Sequence, residues 1–123
     1  MKNTIELVHQ LTCTKITFCY GNKAYSKYMK EQFNEDDFIS GHGRCTTAVS
    51  STEFRLVIGV RKIKDIYSLK SMVIHELSHA VTELMDEYNF NCDEFRSYTL
   101  QWLYCEIMPS LDAKIEKDSK NGR

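Results

Sequence analysis

The chain has 123 residues, enough for one domain and too few for two ordinary ones. A hydrophobic fraction of 42%, a charged fraction of 27% and a net charge of −1 fit a globular domain and exclude the basic excess that a nucleic-acid partner requires. No run approaches the ~20 apolar residues of a membrane span, and the opening MKNTIELVHQLTC lacks a signal peptide's apolar stretch, so a cytoplasmic protein is expected.

In chain order, residues 3–11 alternate weakly and suit a strand or a short helix. Lys15-Ile16-Thr17-Phe18-Cys19-Tyr20 is β-branched and aromatic and ends at Gly21-Asn22, which predicts a strand and a turn. Asn22 suits an N-cap for a helix through about Phe33, with Tyr25, Tyr28, Met29 and Phe33 at helical spacing. Residues 34–44 are the loosest part: an acidic turn, Asn34 to Asp37, then a glycine-containing loop, Ser40-Gly41-His42-Gly43-Arg44. Two strands follow, over 45–50 and 53–61, joined by a turn at Ser51-Thr52. The second is too continuously apolar for a strand with one wet face and should be central or covered on both sides.

From Asp65 to about residue 88, apolar residues recur at three- and four-residue steps: Ile66, Leu69, Met72, Val73, Leu77, Ala80, Val81, Leu84 and Met85. A break at 89–92 separates this helix from a second, from Asp93 to a boundary near the only proline, Pro109. The five cysteines (13, 19, 45, 92 and 105) form an odd set without a C-x-x-C pair. Reduced thiols, mostly buried as small hydrophobes, are expected. The fold class is α+β in one domain over 1–123. A small, mostly antiparallel sheet lies in 1–64, a pair of helices in 65–108 packs against it, and a polar tail covers 109–123.

The first helix contains His75-Glu76-Leu77-Ser78-His79. On an α-helix, i and i+4 share a face, so His75 and His79 can aim two imidazoles at one point. Glu76, offset by about 100°, flanks that point. Two histidines with an adjacent carboxylate suit one zinc ion and a general base acting on its water. The apolar neighbours Val73, Ile74, Leu77, Ala80 and Val81 argue against a merely solvated polar stripe.

A hydrolytic zinc site needs a third protein ligand. The metzincin continuation requires Gly and His where this chain has Thr82 and Met85, and neither His9 nor His42 lies downstream. Glu83 would extend the ligands over three turns, ~12 Å of axis, and Asp86 and Glu87 are farther still. A ligand returning on the second helix solves the geometry. Asp93 and Glu94 sit there, and Asp93 is the better first-turn or capping residue, which leaves Glu94.

His75-Glu76-x-x-His79 followed by Asp93-Glu94-x-x-Ser97-Tyr98 resembles the gluzincin clan of zinc metallopeptidases, most closely the minimal cytoplasmic versions of phages and mobile elements. The likeness spans about residues 70–104. Thermolysin-like members carry Asn-Glu-x-x-Ser-Asp on the second helix. Aligned on Glu94, Asp93 replaces the Asn, Ser97 matches, and Tyr98 replaces an Asp that orients a zinc histidine. That role would pass to Asp86, Asp93 or a backbone carbonyl. The resemblance implies a zincin-like helix pair, and a strand within 45–60 against which a peptide pairs by β-augmentation.

The function expected is peptide-bond hydrolysis of a protein or peptide substrate. One Zn2+ would be held by His75, His79 and Glu94, with Glu76 as general base. Tyr98, Tyr88 and His42 are candidates to stabilise the oxyanion. A zinc-stabilised binding or regulatory domain with little turnover is the alternative, and a phage structural or assembly protein with a fortuitous motif is a weaker one.

Overall fold

β-Branched residues concentrate before residue 61, while helical periodicity appears over 22–33 and again after 65, and the fold follows these signals. The computed structural model describes residues 3–49 and 53–120. The elements are β1 (Thr4–Val8), β2 (Lys15–Tyr20), α1 (Asn22–Phe33), β3 (Gly43–Val49), β4 (Phe54–Val60), α2 (Ile66–Glu87) and α3 (Asp93–Lys120). The expected turn at Ser51-Thr52 lies outside the described residues. Of the described helices, none is long and apolar enough to cross a membrane.

The sheet has the order β1-β2-β4-β3. β1 pairs with β2, and β3 with β4, antiparallel; the central β2–β4 pair is parallel. The sheet is thus mostly antiparallel, as expected, but β2 reaches β4 through a crossover that contains α1 and β3. Parallel neighbours require such a connection, which a run of short hairpins cannot supply.

Side-chain alternation divides the core in two. Ile16, Phe18, Tyr20, Leu56, Ile58 and Val60 face α2 and α3, where they meet Leu69, Val73, Leu77, Ala80, Val81, Leu84, Leu103, Ile107 and Leu111. Cys19 and Val57 face α1 and pack on Tyr25, Tyr28, Met29 and Ile39. β4 is therefore covered on both sides, which its unbroken apolar run predicts. Each fully buried aliphatic contributes roughly 1.5–3 kcal/mol, so these layers dominate over the exposed ion pairs.

Three expectations are corrected, and the loop between α1 and β3, irregular as expected, is held by specific bonds. First, Asn22 is the first residue of α1, not its cap: Gly21 stands at the N-cap, and the Asn22 side chain accepts a bond from Ile39 N–H at 2.7 Å. That bond helps anchor the loop between α1 and β3. Ile39 is fully buried, and Arg61 donates to its carbonyl. Asp37 accepts from Tyr25 Oη at 2.6 Å and from Arg44 Nε at 3.1 Å. Second, α3 passes through Pro109 and continues to Lys120. An internal proline costs about 3 kcal/mol, but Leu103, Ile107 and Leu111 are all fully buried at four-residue spacing across it. Tertiary burial offsets the local cost, and most of the supposed tail is helix. Third, of the cysteines only Cys19 is buried; Cys45 is half-buried and Cys13, Cys92 and Cys105 are exposed. Cys13 occupies a left-handed turn position (φ 58°), and Cys92 sits just before α3.

Two outcomes follow from the α1 face. A Cβ at Gly59 would lie 2.6 Å from Tyr25 Cδ1 and 3.0 Å from Ile39 Cδ1, both on fully buried side chains. Gly59→Ala should therefore destabilise the fold by about 1–3 kcal/mol in a urea titration. Desolvation pushes the Asp37 carboxyl up, but the donors Tyr25, Phe38 N–H and Arg44 outweigh it, and the group sits below its ordinary 3.8. A depressed carboxyl stabilises above its unfolded value and loses that contribution as pH falls through the folded one. Asp37→Asn should thus cost stability at pH 6, with the difference from wild type shrinking as pH drops below about 4.

Candidate metal centre

α2 starts where its cap is best. The Asp65 side chain accepts from Ser68 N–H at 3.3 Å and from Ser68 Oγ at 2.6 Å, which satisfies one orphan donor of the first turn. From there the apolar stripe Leu69, Val73, Leu77, Ala80 and Leu84 seats the helix on the sheet. That seating rotates His75 and His79 outward to solvent and leaves Glu76 at the border of the stripe, buried at 5% exposure.

The two histidines meet. Their Nε2 atoms are 3.1 Å apart, with the rings nearly perpendicular at 84°. A tetrahedral ion bound at about 2.05 Å by two nitrogens would separate them by about 3.3 Å. The observed spacing fits a shared ion with little rearrangement.

Among the described residues, Glu76 stands beside them without a hydrogen-bond donor. Burial raises its carboxyl above the ordinary 4.5; the charges of His75 and His79 act the other way and do not cancel it. No fully buried side-chain oxygen or nitrogen among the described residues lacks a partner. The unbonded Glu76 oxygens therefore still touch water. A partly desolvated carboxylate with water access is the environment a general base requires.

The edge strand β3 forms the wall opposite. Gly43 and Cys45 share the face of β4's Val60 and Ile58, with which they pair, and that face looks at α2. An added Cβ at Gly43 would lie 2.8 Å from Glu76 Cγ and Oε2. Burial pushes the Cys45 thiol up to about 12, helped by the charges of Glu76 and Glu83, so it remains protonated near neutrality. Neither residue stands out in the sequence as part of the site. The available signal is the two-residue alternation of β3, which places 43, 45 and 47 on one face.

Glu94 is less closely engaged. It lies exposed in the first turn of α3. Among the described residues, no three His, Cys, Asp or Glu side chains converge as a ligand set. The backbone beneath Glu94 is nonetheless fixed. Arg96 Nη1 donates to Thr82 Oγ1 at 3.1 Å, and Phe95 packs on Phe90 and His9.

The three oxyanion candidates separate. Tyr88 Oη accepts from Thr14 Oγ1 at 3.2 Å and reaches the Thr12 carbonyl at 3.5 Å, so its hydroxyl is engaged with the β1–β2 turn. Tyr98 is 66% exposed on α3. His42 is exposed and immediately precedes Gly43, and its carbonyl accepts from Arg61 N–H at 2.8 Å.

Comparison with protein-family models, with curated proteins and with solved structures gives no match. Titration with zinc should give one equivalent bound, with His75→Ala and His79→Ala each weakening affinity by at least about 100-fold and Glu94→Ala by about 10–100-fold. Competition with a chromophoric chelator measures all three.

Proposed function

We propose that this chain is a zinc-dependent metallopeptidase, a minimal relative of the gluzincins. One juxtaposition carries the reading: two imidazole Nε2 atoms at 3.1 Å beside a buried carboxylate that has no hydrogen-bond partner among the described residues. His75 and His79 would hold the ion together with Glu94, which stands in the first turn of α3. When bound, zinc lowers the pKa of a water towards ~7 and polarises the scissile carbonyl.

The remaining steps belong to the chain's own residues. Glu76 takes the proton of the attacking water on a carboxylate oxygen and returns it to the leaving amine, closing the proton balance of hydrolysis. The outer edge of β3 pairs with no strand among the described residues. An extended peptide can add there antiparallel, which carries its backbone past Gly43 towards Glu76. His42 and Tyr98 keep side chains without hydrogen-bond partners among the described residues for the developing oxyanion.

One observation favours a second reading, a zinc-stabilised binding domain. A cavity of about 1000 Å³ lies between α1 and the first strands, lined by residues such as Tyr20, Lys27 and Arg61, away from the histidines.

The two readings part on turnover. The zinc-loaded protein should cleave an unfolded, fluorescently labelled casein, and Glu76→Gln should lower kcat by about 10²–10⁴-fold while zinc stoichiometry is kept. Zinc retention with no cleavage by the wild type selects the binding domain.

A further inference from the structure

We propose that Gly43 is a positioning residue for Glu76, its bare backbone setting where the carboxylate stands; the inference rests on the reading of Glu76 as proton acceptor. A glycine is needed in a strand either for an unusual backbone or for space. Gly41, two residues earlier, is the backbone case: its φ is 77° and a Cβ there would meet nothing within 4 Å. Gly43 is the reverse. It is absent from the positive-φ residues, yet a Cβ would lie 2.8 Å from Glu76 Cγ, 2.8 Å from Oε2 and 3.0 Å from Cδ, where ordinary contact begins at 3.4 Å.

Three groups meet at this point, and only one can yield. β3 is held by its pairs Gly43↔Val60, Arg44↔Gly59 and Cys45↔Ile58, and Val60 and Ile58 are fully buried. α2 is held by Val73, Leu77 and Ala80, all without exposed surface. Glu76 is left to move. The clash reaches its Cγ as well as its tip, so the side chain must change rotamer rather than bend at its end. Its carboxylate would be displaced by on the order of 1 Å or more, a shift that can cost about 10²-fold in rate when a reacting group is involved.

A double-mutant cycle in the full chain tests this, with Gly43→Ala, Glu76→Ala and the pair. Gly43→Ala should lower Tm by on the order of 5 °C in wild type and by little in the Glu76→Ala background, where the obstructing atoms are gone. On labelled casein, Gly43→Ala should lower kcat by about 10²-fold with KM and zinc affinity nearly unchanged. Equal Tm losses in both backgrounds, or an unchanged kcat, would overturn the proposal. If Gly43→Ala alone fails to fold, the pair should fold; a misfolded pair also overturns it. An inactive wild type with a non-additive Tm cycle sinks the peptidase reading and leaves the Gly43–Glu76 contact standing, so the two failures can be told apart.

Discussion

α2 lies as close to the sheet edge as it does because position 43 contributes no side chain. The helix is driven onto β2 and β4 by its apolar stripe, and at β3 Glu76 occupies the space above the Gly43 backbone that a side chain there would fill. Two consequences follow from that single approach. The Glu76 carboxyl loses most of its water without gaining a donor among the described residues, and the adjacent helix face carrying His75 and His79 stays outside the sheet, open to solvent.

Such a site is costly as a purely structural feature. Withdrawing a carboxylate from water without a hydrogen bond is unfavourable, and burial accordingly raises the Glu76 carboxyl above its ordinary value. Polar groups elsewhere in the fold are better served: Asp37, Tyr25, Arg44 and Thr46 satisfy one another on the opposite face of β3. A positive ion at the histidine pair would compensate Glu76 in the same manner as a protein donor. That is the physical reason to read the three residues as one unit.

Much of the fold was legible because periodicity and burial agree. The periodic stripe from Ile66 to Met85 gave α2 nearly to the residue, and the apolar run in β4 predicted its two-sided cover. Where local signals competed with distant contacts, the distant contacts won. Pro109 suggested an end that the burial of Leu111 overrides, and Asn22 suggested a cap where Ile39 takes its side chain. The parallel β2–β4 pair has no local signature, since it depends on which strand β4 inserts beside. In the site, the helical spacing of His75, Glu76 and His79 was fully readable. The role of Gly43 was not, because a glycine in the run Gly41-His42-Gly43-Arg44 looks like a turn residue until α2 is packed against it. Glu94 follows from ligand geometry and from the gluzincin likeness, and in the structure it stands on the first turn of α3 without closing the set.

A crystal grown with zinc and measured at the zinc absorption edge gives the most direct test. The expected result is one anomalous peak about 2.0–2.2 Å from Nε2 of both His75 and His79 and from a Glu94 carboxylate oxygen, with Glu76 beside it and unligated. Zinc bound elsewhere, or no peak at the histidine pair, would contradict the metal centre on which the peptidase reading depends.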